Sequence, residues 1–99
     1  MRLYDMFDEG FEREQVLVET MYGISCVNTT EDNDDYDLEF SGHLEFEELP
    51  ESVMDMIQKL RNAGERISDE DVADVYTGKV TTVAGTEDVT VYAFWYFGN

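Results

Sequence analysis

Carboxylates are the only chemically versatile side chains this protein carries in number: 24 Asp and Glu stand beside 6 Lys and Arg, one His and one Cys. Acids alone can do three kinds of chemistry. They can act as a proton-transfer pair, hold a hard cation through oxygen ligands, or present fixed negative charge to a basic partner. For nucleophilic catalysis the chain offers only Cys26 and His43. Cys26 falls on an apolar row, where a thiol is usually a small core residue. His43 lies between Ser41 and Glu45, among acids on a polar row. No glycine-rich phosphate loop, HExxH or CxxC motif accompanies them. The sequence therefore predicts a protein that is not an enzyme and takes no cofactor.

Cation binding is the next chemistry to test. Residues 31–37 read Glu-Asp-Asn-Asp-Asp-Tyr-Asp, superficially a calcium loop. An EF-hand loop needs acids or Asn at positions 1, 3 and 5, Gly at 6 and Glu at 12. Counting from Glu31, Asn33 and Asp35 fit, but Tyr36 takes the glycine position and Gly42 the last ligand position. Counting from Asp32 or Asp35 fails as well, so no metal site is predicted. Asn28-Thr29-Thr30 matches a glycosylation sequon, which carries no weight without a secretory signal.

Fixed charge remains. Between Glu31 and Glu51 stand ten acids and no Lys or Arg: Glu31, Asp32, Asp34, Asp35, Asp37, Glu39, Glu45, Glu47, Glu48 and Glu51. The formal charge is −4 over residues 1–30, −10 over 31–51 and −4 over 52–99. Acids and apolar residues alternate from Tyr36 to Glu47, with Tyr36, Leu38, Phe40, Gly42, Leu44 and Phe46 on the even positions. Such alternation predicts a strand with one wet and one buried face. A hairpin at Ser41-Gly42 would mix apolar and acidic residues on each face, so one long strand, bent or bulged at Gly42, is expected. Its side chains two apart lie about 6.6 Å from one another. Asp37, Glu39, Glu45 and Glu47 would then form one carboxylate row, extended by Asp34 and Asp35 at one end and by Glu48 and Glu51 at the other. A solvated sheet face is the ordinary meaning of such a row. Here its lack of any base leaves repulsion between close neighbours unrelieved, which favours a binding role.

The elements that must position this row are legible in part. Residues 2–9 could form a short helix around Leu3, Met6 and Phe7, and residues 15–27 read as one strand from Val16, Val18, Thr20, Tyr22, Ile24 and Cys26, with a helix ending at Gly23 as the alternative. Pro50 opens a helix whose buried stripe is Val53, Met56, Ile57 and Leu60, and Gly64 ends it. Ser68 and Asp71 resemble a capping box before a short helix with Val72 and Val75, closed by Gly78. Residues 79–84 and 89–97 read as a hairpin across the loop 85–88, and the second of these strands is apolar on both faces. It should therefore be central, with helices over one face and a second layer or a dimer interface on the other. The expected fold class is α+β: a four-stranded, mostly antiparallel sheet in the order β-β-α-α-β-β, with helices on one face and one domain over residues 1–99.

The 99 residues suffice for a single core. No stretch is apolar enough to cross a membrane, and the single cysteine fits a reducing compartment, so a soluble cytoplasmic protein is expected. The charge disfavours direct binding to nucleic acid or to anionic membrane, both polyanions. A halophilic adaptation fits the scarcity of lysine but not the local clustering or the aromatic content. In size, charge and clustering the chain resembles the acidic nucleic-acid-mimic inhibitors of phages and mobile elements, including anti-restriction and anti-CRISPR proteins. That resemblance implies a DNA or RNA mimic acting in the host cytoplasm on a basic nucleic-acid-binding protein: a nuclease, CRISPR effector, restriction enzyme or polymerase. The partner-binding residues would be Asp34, Asp35, Asp37, Glu39, Glu45, Glu47, Glu48 and Glu51. The competing expectation is an acidic adaptor domain that assembles, for instance as a homodimer through residues 89–97, by outward aromatics such as Tyr92 and Tyr96.

Overall fold

A computed structural model describes residues 1–7, 15–64 and 72–94. The chain runs α1 (Leu3–Phe7), β1 (Gln15–Thr20), β2 (Gly23–Asn28), β3 (Asp35–Glu45), a 3-10 turn (Phe46–Glu48), α2 (Glu51–Asn62), β4 (Val72–Thr82) and β5 (Gly85–Ala93). The described strands form one five-stranded sheet in the order β2-β1-β5-β4-β3, with every described pairing antiparallel. The expected four-stranded sheet, its order and its two helices on one face are corrected by this arrangement.

Three local misreadings account for the difference. Residues 15–27 are two strands, because the chain reverses at Met21-Tyr22 with Thr20 opposite Gly23. Apolar residues line both faces of this hairpin, so the reversal leaves no break in the pattern. Val72–Thr82 is a strand paired on both sides, where Val72 and Val75 suggested a helix. Val75 and Tyr76 point to opposite, partly covered faces, so tertiary pairing overrides a weak local signal. The proposed capping residues Ser68 and Asp71 lie outside the described residues. The last hairpin exists but turns earlier than expected, at Val83-Ala84, with Thr82 opposite Gly85.

Both tight turns share one construction, Thr-x-x-Gly. Thr20 Oγ1 accepts the Tyr22 N–H at 3.2 Å and Thr82 Oγ1 accepts the Ala84 N–H at 3.1 Å. The closing glycines, Gly23 and Gly85, have φ of 130° and 126°, a backbone region that suits glycine.

Two cores sandwich the sheet. Above it, Val53 and Ile57 of α2 pack on Leu17, Ala73, Val75, Tyr92 and Phe94, with Phe46 and Leu49 at the helix entrance. Below it, Leu3 of α1 joins Val16, Val18, Tyr36, Val80, Val89, Val91 and Ala93. The helices thus lie on opposite faces. β5 is central, as its two apolar faces require, and Pro50 precedes α2 while Gly64, at φ 98°, follows it. Among the described residues no helix is long and apolar enough to span a membrane.

Candidate acidic interface

β3 occupies one edge of the described sheet and carries the heart of the acidic block. It is a single 11-residue strand, but its phase does not survive Gly42. Phe40 pairs with Tyr76 and Gly42 with Val75, so two β3 residues beyond Phe40 answer to one step of β4: a β-bulge at Ser41-Gly42. Gly42 sits at φ 137°, and the Ser41 and Thr77 hydroxyls hydrogen-bond at 2.7 Å across the strands. The bulge moves the apolar row from one core to the other. Tyr36 and Leu38 belong to the lower core, whereas Leu44 packs with the upper one.

The acids move the opposite way, so the structure does not make the single row expected from the alternation. Asp35, Asp37 and Glu39 face the α2 side, opposite Thr81, Lys79 and Thr77. Glu45 lies on the other face, opposite Val72. Glu47 and Glu48 follow on the 3-10 turn and Glu51 opens α2. The result is two carboxylate groups on one rim of the described sheet, separated by the five residues 40–44, which span five steps of β4, about 17 Å. Asp35, Asp37, Glu39, Glu45, Glu47, Glu48 and Glu51 are all exposed; Asp34 is half-buried.

The first group is partly tied down. Asp32 accepts the Asp34 N–H at 2.8 Å and the Tyr36 hydroxyl at 3.0 Å. Burial and the Asp32 charge raise the Asp34 carboxyl. Burial, this hydrogen bond and both nearby charges push the Tyr36 phenol well above its usual range. Asp35 pairs with the Met1 ammonium, which also donates to the Tyr36 carbonyl at 3.0 Å. Asp37 stands opposite Lys79 in register, yet the Lys79 ammonium bonds Asp88 of β5 at 2.7 Å. That contact holds the Asp88 carboxyl below the usual carboxylate range. Along the same face Glu19, between Ile24 and Thr90 in register, accepts from Ser52 at 3.2 Å.

In the second group the acids face one another. A side-chain hydrogen bond to Glu47, then the charges of Glu47 and Glu48, raise the Glu45 carboxyl. Among the described residues no cluster of His, Cys, Asp or Glu could hold a metal ion.

Between the groups sits a feature that the alternation hid. Phe40, 53 % exposed, makes edge-to-face contacts with His43 at 5.1 Å and Tyr76 at 5.4 Å between ring centres. His43 Nδ1 lies 2.6 Å from Asp74 Oδ1. Phe40 and His43 share a face only because the bulge inserts one residue between them; spaced three apart in a regular strand they would oppose. Cys26 is half-buried against the upper core, as its apolar position suggested. Tyr92 is 4 % exposed beneath α2, so it is not an outward aromatic, and Tyr96 lies outside the described residues. Residues 89–93 pair or neighbour β1 and β4 on either side within the sheet, which leaves that part of the predicted dimer segment without a bare edge.

Comparison of the chain with protein-family models, curated protein sequences and solved structures finds no match.

Proposed function

We propose that this protein is a nucleic-acid mimic that inhibits a host defence or nucleic-acid enzyme by occupying its basic groove. The carrying observation is the acidic rim: seven exposed carboxylates on β3, the 3-10 turn and the start of α2, within a segment holding no Lys or Arg. A strand edge with an irregular backbone gives an anionic ridge at fixed spacing. Asp35, Asp37 and Glu39 stand about 6.6 Å apart, comparable to phosphates along a nucleic-acid strand. With its bulge, β3 runs alongside nine steps of β4, about 30 Å, a little under one turn of duplex. The raised Glu45 carboxyl supports the reading, since it shows Glu47 and Glu48 crowding it, first through a side-chain hydrogen bond to Glu47 and then through their charges. Steric and electrostatic competition needs no chemistry, in keeping with the scarcity of nucleophiles.

The split of the acids into two groups makes the reading testable in parts. Affinity capture from a host lysate at low salt should recover a basic nucleic-acid-binding protein that is lost at high salt. Against that protein, the double reversals Asp37→Lys/Glu39→Lys and Glu45→Lys/Glu47→Lys should each weaken binding about tenfold or more, with circular dichroism unchanged. Normal affinity in both variants would end the mimic reading. Of the two aromatics on which the adaptor alternative rests, Tyr92 is buried and Tyr96 lies outside the described residues.

A further inference from the structure

The middle of the acidic rim is apolar and aromatic. Between Glu39 and Glu45 stand Phe40, Ser41, Gly42, His43 and Leu44. Of the large apolar side chains left exposed among the described residues, Met1, Met21, Tyr22 and Val83 lie at the terminus or in turns. Phe40 alone lies within a strand. It shares the lower face with Tyr36 and Leu38, and the bulge brings His43 to the same side. Its ring rests edge-to-face on His43 and on Tyr76, its partner in register, which packs in turn against the lower core. His43 Nδ1 is held by Asp74, so both supports are tied to β4. A propped, exposed ring at the centre of a polar surface has the make-up of a binding hot spot.

Charge decides what fits over the ring. From Tyr76 the same face runs to Asp74 and then to Glu45, opposite Val72, in steps of about 6.6 Å. No Lys or Arg stands between Glu31 and Gln58, and Lys79, the one base of β4, lies on the other face and bonds Asp88. Nucleic acid, anionic membrane and a second chain of net −18 are all repelled here. An apolar segment would cover Asp74 and Glu45 without giving them partners. Lysine answers the carboxylates, but its ammonium is a strongly hydrated point charge. A guanidinium does both jobs, stacking on an aromatic face while its fork pairs with a carboxylate. The chain's own arginines make the stacking contact, Arg61 at 5.3 Å over the Phe46 ring and Arg2 at 6.0 Å over Tyr4. We propose that Phe40 is the docking point for an arginine side chain of the basic partner, stacked on the ring beside Asp74 and Glu45. The inference rests on the mimic reading for its partner and sharpens it. The partner's groove must present an arginine between two basic patches about 17 Å apart.

Two peptides of equal length and charge, hexa-arginine and hexa-lysine, test the ring without the partner. In NMR titrations of the full chain, both should move amide signals of residues 35–39 and 45–51. Hexa-arginine alone should also move the ring signals of Phe40, His43 and Tyr76. Phe40→Leu keeps an apolar side chain and removes the ring. With its circular dichroism unchanged, it should weaken hexa-arginine about two- to fivefold and leave hexa-lysine nearly unaffected. Ring signals that hexa-arginine leaves in place would overturn the proposal. So would a folded Phe40→Leu variant that loses nothing, or that loses both peptides equally. The mimic reading falls on a different result, normal partner binding by the acidic reversals. If those reversals weaken the captured partner and Phe40→Leu does not, that reading stands and the arginine site is overturned.

Discussion

At the residue scale, glycines decide where acids end up. Gly42 has φ 137° with open space around its missing Cβ, so Gly42→Ala meets backbone strain and no clash. It should cost about 1–3 kcal/mol in urea unfolding. Gly78 is the reverse case. A Cβ there would sit far inside van der Waals contact distance of the Asp37 carbonyl oxygen, with Leu38 Cα also in the way. Gly78→Ala should therefore push β3 off β4 and lower the urea midpoint more than Gly42→Ala does; equal effects would contradict the register described. The glycine at 42 was legible as a bend. Its effect on side-chain direction was not, because alternation in sequence is blind to one inserted residue that turns the following residues over. The same blindness hid the Phe40–His43–Tyr76 cluster, whose members the alternation assigned to different faces or to another element.

The elements show which signals are local. α2 was readable from Pro50, the stripe around Val53 and Ile57, and Gly64, since capping and helical periodicity are written within a dozen residues. Ile57 is fully buried between that helix and the sheet, and Ile57→Ala should cost about 2–5 kcal/mol by chemical denaturation. An effect well below 1 kcal/mol would mean the helix does not seal the upper core. The hairpins were harder. Both turns carry Thr-x-x-Gly, and β1, β4 and β5 are covered on both faces, so the period-two contrast that marks strand ends is weak. The recurrence of Thr two residues before a bonded N–H and three before a positive-φ glycine was the available signal.

For the whole molecule, charge should govern stability as well as binding. At neutral pH added salt should raise the thermal midpoint, since screening weakens repulsion among 24 acids; a fall on adding sodium chloride would contradict this. The pH response follows from the shifted carboxyls. Asp34 and Glu45 are raised above 3.8 and 4.5, so the folded state binds their protons more tightly than the unfolded chain. Their contribution is full below those ordinary values and is lost as pH rises through the raised ones. Asp88 is lowered by Lys79, so its contribution is present above the ordinary Asp value and is lost as pH falls through the depressed one. Both members of that pair are exposed, which keeps its effect small. The urea midpoint at constant ionic strength should therefore rise as pH drops from neutral toward the carboxylate range. A monotonic fall over that interval would show that these repulsions are not felt by the fold.

By itself the sequence determined how much charge there is, that it belongs to folded elements rather than to a tail, that β3 is one strand, and that the apolar β5 is central. Each of these follows from composition or from periodicity within one segment. Only the tertiary structure decided that the described sheet has five strands, that its two described helices lie on opposite faces, and that the acids form two groups on one rim. Those outcomes depend on pairing between residues far apart in the chain. Strand order and a one-residue register shift leave no periodic trace in the partners, yet they choose the face of every carboxylate beyond Gly42 on β3.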